Sequence, residues 1–297
     1  MREMREIHYS DAQYPEKLRK IKNPPLKLYA IGNVELLDKP SLAIVGTRNI
    51  TKYGVKNCQN FARKIVEKDI PIVSGMAIGT DAVAHKTALE YGGETIAVLA
   101  GGFEHIFPEE NAGLFQQIAE RKGLIVTEYP PDVMAKSERF LERNRIVSGL
   151  SEGVLVIEAA YRSGTSVTAR LAYRQGKVVM ALPGRLDNSY GVGVNKLIQD
   201  GAKLVTCVED VLQNFPQFRH KMGKTLEPKQ LSFLDVKEEY QEILQILQNQ
   251  TLSVEEIMQK TKEKNLRQTL NLLMNMELEG LVSQEIGVGY SVRREKL

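Results

Sequence analysis

Residue types that build common structural and catalytic sites are scarce in this chain. It has only two cysteines, Cys58 and Cys207, without a CxxC pair, and its four histidines are not clustered. A disulfide framework and a structural zinc site are therefore not expected, and we predict no metal or cofactor. Both thiols are expected to pack as small apolar side chains.

Long apolar runs are missing as well. No stretch reaches the roughly 18 consecutive apolar residues that span a bilayer. The N-terminal segment MREMREIHYS carries charges where a signal peptide has its apolar part. We therefore expect a cytoplasmic protein with no membrane partner.

A strong excess of one charge is also absent. The net charge is +3, and residues 237–297 contain eight Lys or Arg against ten Asp or Glu, which leaves the preceding part at +5. A basic tail that would attract a polyanion by charge alone is thus excluded. If the partner is a polyanion, it must bind a local pocket in the first part of the chain.

Short apolar runs alternate with segments of helical length between Ser41 and Leu212. Runs that are hydrophobic along their whole length suit strands buried on both faces, as in a parallel sheet covered by helices. Repeated strand–helix units predict an α/β fold with a doubly wound, mostly parallel, extended Rossmann-like sheet. The predicted strands are 42–46, 71–75, 95–101, 124–128, 153–159, 178–184 and 203–206, and the helical segments include 52–68, 80–92 and 164–176.

The sequence divides into four predicted parts. Residues 1–36 are expected to form an N-terminal extension packed on the Rossmann domain, which covers residues 37–214. Residues 215–236 contain two prolines and several charges and are typical of a linker. Residues 237–297 hold three helical patterns and then alternating apolar residues with glycines between them, which predicts a small winged helix-turn-helix domain.

The segment IVGTRNITKYG (44–54) lies where a nucleotide-binding fold has its first phosphate turn. The glycine fingerprint GxGxxG is missing from it. Ser74 and Gly75 occupy the end of the second strand, where a dinucleotide site has an acidic residue for the ribose. The pattern therefore favours several separate phosphates over one dinucleotide.

Glycines, hydroxyls and arginines follow the predicted strands, at the edge where open parallel sheets bind ligands. Glycines let a backbone approach a ligand, and free N–H groups at helix starts attract anions. Thr47 and the amides after Gly46 are expected to receive a phosphate that Arg48 binds from the side. The alternative is that Arg48 pairs with Asp81 or Glu158 and only braces the loop. The predicted phosphate-binding residues are Thr47, Arg48, Ser74, Gly75, Gly79, Thr80, Ser163, Gly164 and Thr165.

The segment SERFLERNRIVSGL (137–150) combines arginines with an aromatic ring. Such a combination suits single-stranded nucleic acid, because phosphates bind the guanidinium and bases stack on the ring. The alternative is a solvated helix face on which the arginines pair with Glu138 and Glu142. The candidate residues are Arg139, Phe140, Arg143, Asn144 and Arg145.

Asp81 and His85 lie four residues apart in GTDAVAH, one helical turn from each other. A catalytic Asp–His pair is possible, but no nucleophile or metal-ligand set accompanies it. The preferred interpretation is that Asp81 caps or orients the start of a helix and that His85 satisfies the hydrogen-bonding capacity of Asp81. No catalytic residue is predicted.

Six motifs, in this order and spacing, resemble the bacterial DNA processing protein A family. The resemblance runs from about Tyr14 to Leu212. It implies an extended Rossmann domain that binds single-stranded DNA, forms a homodimer and loads the recombinase RecA during natural transformation, in a family not known as an enzyme. The motifs are VGTRNITKYG, VSGMAIGTDAVAH, TIAVLAGGFEHIFPEEN, RNRIVSGLSEGVLVIEA, SGTSVTA and ALPG followed by GVNKLIQDGAKLV.

The resemblance also assigns roles to individual positions. It implies DNA binding by Arg48, by the pocket wall Ser74–Asp81 and by the RNR triplet at 143–145. It further suggests that part of the segment 195–212 forms a two-fold dimer surface. The candidate dimer residues are Leu197, Ile198 and Leu204.

Two departures from the family pattern lie just before the RNR triplet. Leu141 follows Phe140 where the family usually has proline, and Ser137 stands where it often has lysine. Lys136, which directly precedes Ser137, is the candidate to supply that charge.

Two other functions fit parts of the sequence. A nucleotide-cleaving phosphoribohydrolase has a similar fold, but it carries a Glu three residues after its Gly-Thr, and here Gly164-Thr165 is followed by Ser, Val and Thr. Sequence-specific regulation through the winged helix is disfavoured, because the helical segment Leu266–Leu278 offers only Arg267 as a cation for phosphates. We therefore predict a non-enzymatic single-strand DNA binder without strong sequence preference.

Overall fold

Apolar runs of four residues form strands that are buried along their whole length in a computed structural model of the chain. Leu42–Val45, Leu124–Thr127 and Gly153–Val156 are such strands. The structure describes residues 3–221, 238–248, 250–261, 265–278, 281–285 and 288–292. Within it the chain divides into two compact units, Met1–Met222 and Gly223–Leu297, and each is described by itself.

The first unit is built on a sheet of nine strands in the order β1-β2-β6-β5-β4-β3-β7-β8-β9. All neighbours from β6 to β9 are parallel, while β1–β2 and β2–β6 are antiparallel. The strands are β1 (Arg5–His8), β2 (Lys27–Gly32), β3 (Leu42–Val45), β4 (Ile72–Ser74), β5 (Thr95–Val98), β6 (Leu124–Thr127), β7 (Gly153–Val156), β8 (Val178–Ala181) and β9 (Lys203–Leu204). The predicted mostly parallel, doubly wound α/β fold is confirmed.

Helices cover both faces of this sheet. They are α1 (Glu16–Arg19), α2 (Lys52–Val66), α3 (Thr80–Glu90), α4 (Ala112–Glu120), α5 (Ser137–Leu150), α6 (Gly164–Arg174), α7 (Ser189–Gln199) and α8 (Val208–Leu212). Short 3-10 helices lie at Val34–Leu37, Glu109–Asn111 and Pro216–Lys221. None of the helices in the described ranges is both long and apolar enough to cross a membrane.

The first unit has a hydrophobic core on each face of the sheet, and the side chains of β3 contribute to both. Leu42 and Ile44 belong to the cluster that contains Phe61 of α2, whereas Ala43 and Val45 belong to the cluster that contains Ile146 of α5. Successive side chains of a strand point to opposite faces of the sheet, so a run with no polar position requires a helix layer on each side. Cys58 of α2 is fully buried in the first of these cores, and Cys207 is partly exposed.

The N-terminal segment takes part in the sheet. We expected residues 1–36 to pack on the Rossmann domain, but β2 pairs with the edge of β6 and β1 pairs with β2. The apolar run Lys27–Gly32 therefore completes the hydrogen bonds of an edge strand that would otherwise stay open.

The first unit also continues past the predicted start of the linker at residue 215. Phe215 and Phe218 are 4% and 2% exposed, and their ring centroids lie 5.6 Å apart. Both rings belong to the core cluster around α2 and α8, and Phe215 packs over Gly153 at the start of β7. Two buried aromatic rings are a stronger signal than the proline and charges around them, which suggested a linker.

The second unit contains three helices and one antiparallel hairpin. They are α9 (Glu238–Leu247), α10 (Val254–Lys260), α11 (Leu266–Leu278), β10 (Val282–Glu285) and β11 (Gly289–Val292). Ser253 and Glu256 form a capping box at the start of α10, and a small core surrounds Tyr240, Leu244 and Leu273. These elements occupy the segments expected from the sequence, and their assignment as a winged helix-turn-helix stays a prediction.

We predict that a chain ending at Lys221 keeps the stability of the first unit, whereas one ending at Asn214 does not. The shorter chain loses the rings of Phe215 and Phe218, and loss of a buried Phe side chain costs about 3–5 kcal/mol. Urea unfolding followed by circular dichroism measures the difference. Equal free energies of unfolding for the two truncations would contradict this boundary.

Candidate functional site

The order in which successive strands join the sheet reverses between β3 and β7. Strands β3 to β6 follow one another outward, and the chain then returns to place β7 on the other side of β3. A crevice opens at the carboxyl ends of the strands at such a reversal. It holds a pocket of about 570 Å³, which is lined by Val45, Gly46, Thr47, Arg48, Gly75, Ala77, Asp81, Phe107, Ser137, Phe140, Leu141, Arg143, Asn144, Val147, Ser163, Gly164, Thr165 and Thr168.

The Gly46-Thr47-Arg48 turn forms one bank of this pocket and is supported from behind. The carbonyl of Thr47 accepts hydrogen bonds from the amide and the hydroxyl of Thr80, both at 3.1 Å. A side chain on Gly46 would collide with Thr80, and one on Gly79, whose φ is +78°, would collide with the carbonyls of Thr47 and Arg48. The two glycines are therefore needed for the close approach of these loops.

Three predicted site residues thus hold the turn and do not line the pocket. Gly79 and Thr80 support it as just described, and the buried Ser74 donates from its hydroxyl to the carbonyl of Ile44 at 2.6 Å. The amide of Thr47, which we expected to meet a phosphate, donates to the carbonyl of Glu158 at 2.8 Å. What this bank offers to a ligand is the Thr47 hydroxyl and the Arg48 side chain.

Arg48 is exposed, and its guanidinium lies over the ring of Phe140, 5.0 Å from the centroid. Within the described part of the chain it makes no hydrogen bond or ion pair. The two carboxylates considered as partners are engaged elsewhere. Asp81 accepts from the amides of Gly75 and Ala77, and Glu158 accepts from the amide and hydroxyl of Thr51. The bracing alternative for Arg48 does not occur in this structure.

The N-terminus of α6 forms the opposite bank. Ser163 caps the helix by accepting from the amide of Ser166, and the hydroxyl of Thr165 donates to the carbonyl of Gly46 at 2.9 Å. The space beside Gly164 is open, since a Cβ placed there would meet no atom within 4 Å. The first turn of a helix presents free N–H groups and a partial positive charge, so this bank attracts anions.

Apolar side chains form the outer wall. The rings of Phe107 and Phe140 meet edge to face with centroids 5.7 Å apart, and Phe107 and Leu141 are 54% and 48% exposed. Phe107 was not predicted from the sequence, although an aromatic residue beside a proline in a polar loop is a signal for an exposed ring. Leu141, noted only as a departure from the family pattern, belongs to the same wall.

The RNR triplet divides into different roles. Arg143 is 4% exposed, and its Nη1 donates to the carbonyls of Gly75 and Val98 at the floor of the pocket. Burial lowers the pKa of Arg143 to about 10, against the effect of Asp81, so it stays protonated at neutral pH. Asn144 accepts from Nε of Arg143 and also lines the pocket.

The other cations of this segment lie outside the pocket. Arg145 makes two hydrogen bonds of 2.6 Å to the carboxylate of Glu128, so the arginine–glutamate pairing that we weighed does occur, but with a different glutamate. Arg139 lies over the ring of Tyr129 and donates to the carbonyl of Met134. Lys136 is exposed at the residue before α5, and the adjacent Ser137 is the one that lines the pocket.

Asp81 and His85 do not form a pair. Nδ1 of His85 lies 2.7 Å from the hydroxyl of Thr95, which itself donates to the carbonyl of Ile72. Burial lowers the pKa of His85 to about 3, so the ring is neutral. Because the Thr95 hydroxyl uses its proton for the carbonyl of Ile72, it accepts from His85, and the ring proton is therefore on Nδ1. Across the described ranges, no three His, Cys, Asp or Glu side chains gather in a way that could hold a metal ion.

Comparison with known proteins identifies a family. The sequence profile described as DNA recombination-mediator protein A matches residues 5–216. DNA processing protein DprA of Bacillus subtilis is 42% identical over 71% of this chain and 71% of its own length. Protein Smf of Escherichia coli is 36% identical over 95% of this chain and 75% of its own length.

Two solved structures resemble this chain over about the same share of its length. DNA processing protein A from Streptococcus pneumoniae superposes with a TM-score of 0.69 at 38% identity, covering 72% of this chain and 75% of that one. DNA processing protein A from Helicobacter pylori, described for its single-stranded DNA binding mode, gives 0.64 at 34% identity, covering 72% of this chain and 95% of that one.

We predict that Arg145→Gln lowers the free energy of unfolding by about 1.5–3 kcal/mol, because it removes charged hydrogen bonds to a carboxylate that is 16% exposed. Glu128→Gln should cost a similar amount, and the double variant should cost less than the sum of the two. Lys136→Gln, at an exposed cation of the same segment, is the control and should stay within about 0.5 kcal/mol. Denaturant titration of the wild type and the four variants measures these values, and additive losses would contradict the pairing.

Proposed function

The chain belongs to the DNA recombination-mediator protein A family, and we propose on that premise that its pocket binds single-stranded DNA. Binding is without strong sequence preference overall. The protein acts as a recombination mediator that loads the recombinase RecA, in natural transformation and related recombination. It is a binding protein and not an enzyme.

The observation that carries this proposal is the Arg48 guanidinium, which makes no hydrogen bond or ion pair within the described residues, across the pocket from the open start of α6. Arg48 supplies a planar fork of N–H donors that matches phosphate oxygens. The N-terminus of α6 supplies amides and a partial positive charge on the opposite bank. Two separate phosphate-binding elements face one pocket, as a nucleic acid backbone requires.

The apolar wall supplies the second half of the recognition. Phe107 and Phe140 present aromatic surface at the mouth of the pocket, where a base leaving the backbone can stack. In a duplex the bases are stacked on one another and their faces are not available. Stacking on these rings therefore favours single strands over duplex DNA.

Binding by the relative from Helicobacter pylori supports the same assignment. That protein binds single-stranded DNA, and it shares the fold with this chain over 95% of its own length. The recombinase-loading part of the proposal is supported by the description of the family as a recombination mediator.

The decisive change is Arg48→Ala. If Arg48 neutralises a phosphate, its loss should weaken oligothymidine binding and flatten the slope of log affinity against log salt by roughly 0.7. The weakening should be similar for different base sequences, since phosphate contacts carry no base information. Arg174→Ala, at the exposed far end of α6 and about 15 Å along the helix from Gly164, is the matched control.

Phe140→Ala should differ from Arg48→Ala in how its affinity depends on salt. It should lose about 1–3 kcal/mol of stacking and leave the salt slope nearly unchanged. Fluorescence titration of labelled oligothymidine and a matched duplex at several salt concentrations measures both quantities. A folded Arg48→Ala protein that keeps its affinity and its salt slope would contradict the phosphate assignment.

We also predict a two-fold homodimer through the edge of the sheet near β9. Leu197 and Ile198 are partly buried against the core of their own chain, while Leu204 of β9 is 51% exposed at the end of the sheet. An exposed edge strand with an apolar side chain favours pairing with a second copy. Light scattering at micromolar concentration should show a dimer, and Leu204→Glu should yield a folded monomer. A wild-type monomer would refute the proposal.

A further inference from the structure

Two buried side chains of opposite charge lie at the floor of the pocket. Asp81 is 7% exposed and Arg143 is 4% exposed, and both line the pocket. They are neighbours through Gly75, whose amide donates to Oδ2 of Asp81 at 3.1 Å and whose carbonyl accepts from Nη1 of Arg143. A side chain on Gly75 would displace the guanidinium, so the glycine makes room for this arrangement.

Both groups keep hydrogen-bonding capacity that the protein does not use. Oδ2 of Asp81 accepts from the amides of Gly75 and Ala77, and the Ser74 hydroxyl also lies within reach of the carboxylate, which still leaves part of its about four acceptor sites unused. Nη1 and Nε of Arg143 are engaged, whereas Nη2 donates to no group of the described residues. Burial raises the pKa of Asp81, against the effect of Arg143, and further donors would favour its ionised form.

A carboxylate at the floor determines which part of a nucleotide reaches it. It repels phosphate, and the phosphate-binding groups of Arg48 and α6 lie on the banks above. A base is neutral and carries donors. The side chains of Phe140, Leu141 and Val147 line the same pocket and give the flat face of a base an apolar surface.

We propose that one base of the bound strand inserts into this pocket and that the floor prefers guanine. The N1–H and N2–H groups of guanine lie side by side and donate to the Asp81 carboxylate, and the adjacent O6 accepts from Arg143. The inference rests on the proposed single-strand binding and adds a preference at one nucleotide to it.

The other bases fit this floor less well. Thymine has one N–H between two carbonyl oxygens, so a second contact with the carboxylate brings two acceptors together. Adenine and cytosine each place a ring nitrogen acceptor beside their amino group. Only guanine offers two adjacent donors with an acceptor next to them.

The experiment uses short oligothymidines of about six nucleotides, close to the smallest sites known for single-strand binding folds. A single dG replaces dT at each position in turn, because runs of guanine associate with one another. We expect one internal position to tighten binding by about fivefold or more, the range of a good two-bond base contact. Inosine, which lacks the N2 amino group, should lose most of that gain at the same position.

Asp81→Asn provides the test on the protein side. The amide oxygen can still accept from Gly75 and Ala77, but its NH₂ group replaces an acceptor with a donor. The variant should lose the preference for dG, measured as the ratio of its affinities for the dG-containing and the all-dT oligonucleotides, whatever its affinity for oligothymidine itself. If it unfolds, the dG and inosine series on the wild-type protein still decides the matter.

The outcomes separate this inference from the function on which it rests. Tight binding of a longer oligothymidine with a flat dG series would overturn the base preference alone. An inosine series that matches the dG series would overturn the role of the two donors. No binding of any oligothymidine would overturn the proposed function and the base preference together.

Discussion

The guanidinium of Arg143 lies among backbone carbonyls at the carboxyl ends of two strands. It donates to the carbonyl of Gly75 after β4 and to that of Val98 at the end of β5, while its own backbone belongs to α5. Hydrogen bonds to these carbonyls offset part of the cost of burying the charge, so they hold α5 against this edge of the sheet. Phe140 lies one turn earlier on α5, and its place at the mouth of the pocket follows from that anchor.

The arginines near the pocket differ in role because they differ in burial. Arg143 and Arg145 have acceptors within the protein, and their charge stabilises the position of α5. Arg48 is exposed and, among the described residues, its guanidinium contacts an aromatic ring and makes no hydrogen bond or ion pair, so its donors are available for a ligand. Residue type and motif therefore do not decide which cation is left available for a ligand. What matters is whether carbonyls or carboxylates of other elements already accept hydrogen bonds from the guanidinium.

This distinction explains what the sequence could and could not predict. The buried strands, and the edge of the sheet at which the pocket lies, were predictable from the hydrophobic pattern. A run such as Leu42–Val45 is buried on both faces only in a sheet that helices cover on each side. The Gly46-Thr47-Arg48 turn and the Ser163-Gly164-Thr165 helix start were likewise found at the pocket. The roles of Ser74, Thr80 and Arg145 were not predictable, because their partners Ile44, Thr47 and Glu128 lie 17 or more residues away. Phe215 and Phe218 were assigned to a linker for the same reason, since only the folded sheet shows the space that they fill.

The contact between Arg48 and Phe140 influences where the Arg48 guanidinium lies before a ligand binds. Phe140 is partly buried, and a cation over such a ring gains about 0.5–1 kcal/mol, while ordering a free arginine side chain costs up to about 2 kcal/mol of rotamer entropy. The ring therefore biases Arg48 toward the mouth of the pocket without fixing it there, and a phosphate contact is strong enough to draw the guanidinium away. One face of Phe140 is covered by the guanidinium and its edge meets Phe107. The Arg143 guanidinium also lies 6.0 Å from the centroid of this ring. Movement of Arg48 onto a phosphate would uncover one face of Phe140, so the proposed phosphate contact and the proposed base stacking would favour each other.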